Sequence, residues 1–248
     1  MSRGKRVYKV GGPALEDPGL LAPLAREIGE FDGEVALVHG GGRQVERMLK
    51  QLGIESKFTH GRRETSPAAM EIVEMVLTGS MNPALASGLA RAGLPAVGIS
   101  GRVLNLIRAA LVPGLGQVGS PDSVDPKILE ALWAAKLVPV ISPVSNDPSG
   151  RAVNVNADEV AQSIARQISA DTLVFLSDVD GVVLDGAPVT RLNEANIQAR
   201  TDDGSIHGGM AMKVRMALDA VRSGIPAVII AGRARIEGGF PGTSISLQ

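Results

Sequence analysis

Residues suited to handling anions recur in this chain where apolar runs break off. The short stretch Arg6-Val7-Tyr8-Lys9-Val10 ends in Gly11-Gly12-Pro13. A lysine in a strand is ordinarily solvated at an exposed edge; beside two glycines at a strand's carboxyl end, Lys9 becomes a candidate phosphate ligand. Val35-Ala36-Leu37-Val38-His39 runs straight into Gly40-Gly41-Gly42, and a helical pattern (Val45, Met48, Leu49, Leu52) follows at once. Glycines between a strand end and a helix N-terminus leave backbone N–H groups free for an anion, although a tight turn with close strand–helix packing is the plainer use of such a sequence. Two adjacent arginines, Arg62 and Arg63, fall in the segment Phe58–Thr65. Either could clamp a carboxylate bidentately, a task lysine performs poorly. Asn154, Asn156 and Asp158 alternate just ahead of a helix; an aspartate there is most often an N-cap, while the asparagines offer both donors and acceptors at fixed spacing. Lys213 falls in the first turn of a helix read from Met210 to Val221, where the macrodipole disfavours a cation, which suggests that its charge is needed there.

The elements that must position these residues follow from hydrophobic periodicity. Unbroken apolar runs at Val35–Val38, Val138–Ser142, Leu173–Leu176 and Ala227–Ile230 read as strands buried on both faces. Between them, Leu20, Leu21, Leu24 and Ile28 form an amphipathic helix that starts near Asp17-Pro18, so the first two strands should be parallel in a right-handed βαβ unit. Phe58–Thr65 reads as a loop or hairpin. Ser66-Pro67 reads as a cap and first helical residue before the stripe Met70, Val73, Val76, Leu77, and a separate helix spans Asn82–Ala92. Ala96–Ser100 is a strand closing on Gly101, and Ile128–Ala135 a helix. The stretch 101–119 is a weakly patterned excursion, and Pro143–Gly150 a loop. Four strands therefore stop at a polar or glycine turn, the edge at which open α/β sheets keep their ligands.

Composition narrows the chemistry. The 248 residues are 44% hydrophobic, with no apolar run approaching a membrane span. A net charge of −1, with neither a basic cluster nor an aromatic stacking platform, argues against nucleic acid. The absence of cysteine excludes disulfides, thiolate metal sites and a thiol nucleophile, and is compatible with a reducing cytoplasm. The basic start, Met1 to Arg6, leads into only a short strand and does not read as a signal peptide. No strand is followed by G-x-G-x-x-G with a downstream acid, so a dinucleotide enzyme is disfavoured.

Six segments, taken together and in order, resemble the amino acid kinase family, and within it the acetylglutamate kinases. They are Lys9-Val10-Gly11-Gly12, His39-Gly40-Gly41-Gly42, Gly61-Arg62-Arg63-Glu64-Thr65, Asn154-Val155-Asn156-Ala157-Asp158, Ser177-Asp178-Val179-Asp180-Gly181 and Gly208-Gly209-Met210-Ala211-Met212-Lys213. The resemblance covers nearly the whole chain. It implies an open three-layer αβα sandwich with a mostly parallel central sheet, one domain with a substrate lobe at about 1–150 and a nucleotide lobe at about 151–248. The reaction implied is transfer of the ATP γ-phosphate, with Mg2+ carried by the nucleotide, to the side-chain carboxylate of N-acetyl-L-glutamate, giving N-acetylglutamyl 5-phosphate for arginine synthesis in the cytoplasm. That carboxylate, with a pKa of about 4.3, is already ionised at neutral pH, so no general base is required. The difficulty is an anion approaching a negatively charged phosphate, which positioning and positive charge must overcome.

By the same resemblance, Lys9 and Lys213 neutralise the migrating phosphoryl group and Asp158 holds both lysines. Gly11, Gly12, Gly41 and Gly42 offer backbone N–H groups, Arg63 grips the substrate's α-carboxylate with Asn154 beside it, and Asp178, Val179, Asp180, Gly181, Val182, Val183, Ser205, Ile206 and His207 occupy nucleotide-binding positions. Arginine-inhibited hexameric relatives carry a helix before the first strand, and its absence here implies a homodimer without arginine feedback. Departures from the family pattern fall at Pro13, Arg62, Glu64, Arg102–Asn105, Ala231 and a tail too short for the usual last helix. A kinase for N-acetyl-aminoadipate or its carrier-linked form, and a non-catalytic nucleotide- or amino acid-binding regulator, are the alternatives.

Overall fold

The structure is a computed structural model that describes residues 4–11 and 17–248. Gly12 and Pro13 of the first glycine turn, and residues 1–3 of the basic start, lie outside the described residues. The first part of the chain runs β1 (Gly4–Val10), α1 (Leu21–Gly29), β2 (Gly33–His39), α2 (Gly42–Gln51), β3 (Phe58–Thr59), β4 (Arg62–Arg63), α3 (Pro67–Glu74), α4 (Asn82–Arg91), β5 (Ala96–Ser100), β6 (Ile107–Leu111), β7 (Val118–Val124), α5 (Lys127–Ala134), β8 (Val138–Ser142) and β9 (Ser145–Asn146). The remainder runs β10 (Ala152–Val155), α6 (Ala157–Gln167), β11 (Thr172–Leu176), β12 (Val183–Leu184), β13 (Ala187–Pro188), β14 (Arg191–Asn193), α7 (Glu194–Asp202), α8 (Gly208–Arg222), β15 (Ala227–Ala231), α9 (Arg233–Ile236) and β16 (Thr243–Ser246).

An eight-stranded sheet in the order β14-β16-β15-β11-β1-β2-β8-β5 forms the centre. From β15 to β5 every neighbouring pair is parallel, while β16 runs antiparallel to β15 and carries β14 with it. Strands buried on both faces need apolar residues at successive positions, and β1 shows the division. Val7 joins a core with Val160 and Ile164 of α6 and Val214 of α8, whereas Tyr8 and Val10 join one with Leu24 and Ile28 of α1 and Leu85 and Leu89 of α4. Helices therefore cover both faces, and the chain has the open, mostly parallel αβα architecture expected of it. A small closed barrel, β10-β7-β6-β9, stands beside the sheet.

Several local expectations are revised. The excursion at 101–119 contains β6 and the start of β7, an antiparallel pair whose register is broken by an irregularity at Arg108/Ala109; that break hides the period-two pattern. The loop after β8 holds β9, which completes the barrel. The helices read separately at 67–77 and 82–92 are joined by a π-helical stretch, Met75–Met81, so the apolar stripe continues across the join. Met48 and Leu52 share the helical spacing of α2 but are exposed, and only Val45 and Leu49 are buried. Beyond the strand at Ala227–Ile230, a short helix and β16 follow. The polar helix α7, capped by the Asn193 side chain, carries too little apolar periodicity to be seen in the sequence.

Candidate active site

The parallel ladder delivers two glycine turns to one place. Lys9 is flanked by Phe175 of β11 and Val38 of β2, and at the strand ends the Gly40 N–H donates to the Val10 carbonyl at 2.8 Å, tying the turns together. A Cβ at Gly11 would lie 2.7 Å from Lys9 Nζ, so glycine at that position leaves room for the ammonium. The Lys9 side chain is 17% exposed, and its Nζ stands 2.9 Å from Asp158 Oδ1. Asp158 is not the N-cap of α6. Asn156 is, accepting the Asp158 N–H at 2.8 Å, which leaves the Asp158 carboxylate available to Lys9.

The second wall is a hairpin. Phe58-Thr59 and Arg62-Arg63 pair across His60 and Gly61, both at positive φ, so the loop-or-hairpin reading resolves as a hairpin. Arg63 is buried. Its Nη1 donates to the Glu46 carboxylate and the Ser56 hydroxyl, its Nη2 to the Gly42 carbonyl at 3.1 Å, and its guanidinium lies 4.5 Å from the Phe58 ring centroid. The hydrogen bond from Arg63, followed by that from Ser56, holds the Glu46 carboxyl below its ordinary range. Arg62 turns to Glu159 (2.8 Å), which also accepts from the Ser120 hydroxyl. From β10, Asn154 Nδ2 donates to Thr65 Oγ1 at 3.1 Å, and that hydroxyl donates to the Arg63 carbonyl.

These residues enclose one cavity of about 240 Å³, bounded by Lys9, Gly11, Gly41, Gly42, Arg63, Asn154 and Asp158, with Arg62, Val73 and Leu77 completing the walls. Its polar groups suit an acidic molecule: the Arg63 guanidinium, against the Gly42 carbonyl, the Asn154 amide and the Lys9 ammonium all line it. Glu46, Ser56 and Glu159 were invisible as site residues in the sequence. Their roles are contacts made across the fold, and no local pattern marks them.

The remaining predicted residues lie after β11 and before α8. Lys213 Nζ is 2.5 Å from Asp178 Oδ1, not bonded to Asp158, so Asp158 holds one lysine here rather than two. The hydrogen bond from Lys213 keeps the Asp178 carboxyl low. Because α8 begins at Gly208, Lys213 sits in its second turn, and the expectation of a cation in the first turn falls away. Asp180 accepts the Ala234 N–H at 2.7 Å, Ser205 donates its N–H to Asp203, and His207 donates from Nδ1 to the Gly204 carbonyl. Val182 and Ile206 are core residues, while Val183 is exposed. At Gly181 a Cβ would come within 2.7 Å of Thr243 Oγ1. Val179 packs against the main core. Among the described residues, no group of three His, Asp or Glu side chains could hold a metal ion, and no helix is long and apolar enough to cross a membrane.

The sequence profile of the amino acid kinase family matches residues 4–231. This chain belongs to the amino acid kinase family. Among its relatives, it is 43% identical to an acetylglutamate kinase of Rubrobacter xylanophilus over 251 aligned positions, covering 96% of each chain. It is 38% identical to that of Geobacillus kaustophilus, covering 96% of this chain and 95% of the relative. Among solved structures, smu.665 from Streptococcus mutans superposes with a TM-score of 0.85 at 23% identity, covering 98% of this chain and 99% of that one. A carbamate kinase of Giardia lamblia bound to AMP-PNP superposes at 0.70 with 17% identity over the full length of both. At such identities, these two establish the fold shared across the family.

Proposed function

We propose that this chain is an acetylglutamate kinase, transferring the γ-phosphate of ATP to the side-chain carboxylate of N-acetyl-L-glutamate within arginine biosynthesis. The observation that carries this reading is one cavity lined together by Lys9, its partner Asp158, Gly11, Gly41, Gly42, Arg63 and Asn154. Identity near 40% to acetylglutamate kinases along nearly the whole chain supports it. The substrate's carboxylate oxygen attacks the γ-phosphorus, the bond to the bridging oxygen breaks, and ADP leaves with that electron pair. The attacking carboxylate carries no proton to remove. Lys9 and the Gly41 N–H meet the charge on the equatorial oxygens, where such donors lower the barrier by far more than they would in water; the Gly11 N–H, expected to join them, instead donates to the Leu176 carbonyl at 3.3 Å.

Arg63 binds the α-carboxylate through the guanidinium edge left free by Glu46, Ser56 and the Gly42 carbonyl, and Asn154 flanks it. Lys213 and the segments at 178–183 and 205–207 belong to the nucleotide lobe of about 151–248, against a substrate lobe of about 1–150. With no cluster of carboxylates or imidazoles among the described residues, Mg2+ would be held by the phosphate oxygens of ATP and would supply further charge neutralisation there. The enzyme works as a homodimer in the cytoplasm, and sedimentation equilibrium giving one protomer mass would remove the dimer.

Incubation with ATP, Mg2+ and N-acetylglutamate followed by hydroxylamine should yield a hydroxamate. Its absence with this acceptor, but appearance with N-acetyl-aminoadipate, would move the assignment to the lysine-type substrate, and its absence with both would end the kinase reading. Lys9→Ala and Lys213→Ala should each lower kcat by about 10²-fold, the scale of a lost oxyanion donor. Either variant turning over near the wild-type rate would take that lysine out of the mechanism. Arg63→Ala should act mainly on KM for the acyl-amino acid, and an unchanged KM would shift the clamp to Arg62.

A further inference from the structure

His39 ends β2 immediately before the glycine turn, is fully buried, and points to the face of the sheet covered by α4. Its Nδ1 lies 2.8 Å from the carbonyl oxygen of the next residue, Gly40. A carbonyl only accepts, so Nδ1 carries the hydrogen. Its Nε2 lies 3.1 Å from Asn82 Nδ2, and that same amide nitrogen donates to the Val140 carbonyl at 2.9 Å, which fixes which end of the amide faces the ring. Nε2 is therefore the acceptor and the imidazole is neutral, in one tautomer. Burial agrees, holding its pKa down at about 4. Gly98 on β5 makes the amide's place: a Cβ there would stand 2.3 Å from Asn82 Oδ1.

The consequence lies one peptide further on. In the trans Gly40–Gly41 unit the C=O and N–H point in opposite directions. With the Gly40 oxygen drawn to His39 on the α4 side, the Gly41 N–H is directed to the side where α6 begins, and there Gly41, Ala157 and Asp158 border the cavity. That N–H has no acceptor among the described residues. A run of three glycines has no side chain of its own to settle which way its peptides face, since glycine takes either sense of φ with little cost. Something outside the run has to hold it.

We propose that His39 is a positioning residue for phosphoryl transfer, holding the Gly40 carbonyl so that the Gly41 N–H is presented to the transferring phosphoryl group. This rests on the kinase reading above and adds to it a residue that touches neither substrate nor nucleotide. A preorganised donor differs from a merely present one by the cost of aiming it at the moment of reaction, so the effect belongs in kcat.

His39→Leu removes the donor, while His39→Asn places an amide N–H where Nδ1 stood. His39→Leu should lower kcat about tenfold or more, with KM for N-acetylglutamate changed less than about threefold. His39→Asn should recover most of that loss at a comparable Tm. Imidazole 15N spectra of the wild-type protein at pH 7 should show Nδ1 protonated and Nε2 bare. The proposal is overturned by a folded His39→Leu with kcat within twofold of wild type, by His39→Asn as slow as His39→Leu, by a loss confined to KM, or by the opposite tautomer. If neither variant folds, the tautomer and its persistence when ADP and phosphate are bound decide alone. Wild-type protein that phosphorylates no acyl-amino acid overturns the proposal together with the kinase reading. Failure of the positioning role alone looks different: wild type and His39→Leu then turn over alike.

Discussion

The neutral, buried imidazole of His39 makes folding stability depend on pH in a window of its own. Its pKa is about 4 in the folded protein against 6.5 for the free side chain, so the unfolded chain binds the proton first. The contribution is complete above pH 6.5 and is lost as pH falls from there towards 4, on the order of 3 kcal/mol in all. Asp147, held down at about 2 by hydrogen bonds from Ser149 and Arg151, has the opposite ionisation, and its contribution is present above 3.8 and lost only as pH falls from there to about 2. Unfolding free energies from urea titrations between pH 7 and 4.5 should therefore drop for wild type by about 2 kcal/mol more than for His39→Asn; parallel curves would mean that the ring titrates as freely in the folded protein as in the unfolded chain. Residue types at this site were legible in the sequence and their partners were not. Lys9, Arg63 and Asp158 stand out by charge at a strand end, a hairpin and a helix start. Asn156 and Asp158 are both competent caps two positions apart, however, and only the helix's true first residue decides which one caps and which one faces Lys9.

Neighbouring glycines in one turn answer to different elements. A Cβ on Gly41 would come within 2.5 Å of both Leu77 and Met81, on the π-helical stretch that joins α3 to α4, whereas one on Gly42 meets nothing within 4 Å. Gly41→Ala should accordingly lose about 1–3 kcal/mol by overpacking, and Gly42→Ala, at the first position of α2, should be neutral or slightly stabilising. Met81→Ala opens space beside Gly41, so the double variant should recover part of the loss. Additive effects in that cycle would show that Met81 is not what the methyl meets. The widened turn itself was beyond sequence reading, because Met70, Val73, Val76 and Leu77 keep helical spacing straight into it and are buried as that spacing predicts. Strands were legible where apolar runs end in glycine or polar turns, as at β2, β8 and β11. Among the barrel strands, β9 has only two residues and β7 carries Gly119, Ser120, Pro121 and Asp122 within it, so their pairing is set by tertiary packing rather than by pattern.

At the scale of the whole molecule, the two halves of the chain meet along one seam. β1, β2, β8 and β5 lie together on one side of the sheet and β11, β15, β16 and β14 on the other, joined by the parallel pairing of β1 with β11 from Arg6↔Thr172 to Val10↔Leu176. Here the strand order reverses, which is where open α/β sheets form their ligand crevice, and Lys9 lies on that seam. The same seam shares the main core between the halves: Val7, Ala36 and Val38 are buried against Val160, Ile164 and Leu173 of the second, and the first half keeps to itself only a smaller cluster around Val45, Leu49, Met70 and Val73. Chains of this length often unfold through intermediates, yet an intermediate that kept one half would have to expose both β1 and the apolar face of α6. Unfolding in urea should therefore be a single transition. Trp133 is the chain's one tryptophan, lies in the first half, and donates its indole N–H to the Val35 carbonyl of β2 at 2.8 Å, so its fluorescence reports on that half alone. Its midpoint should coincide with that of far-UV circular dichroism, which reports on the whole chain, and residues 1–150 expressed alone should not fold. A tryptophan transition displaced from the dichroism curve, or a folded 1–150 fragment, would show that the seam is an interface between two separately stable units.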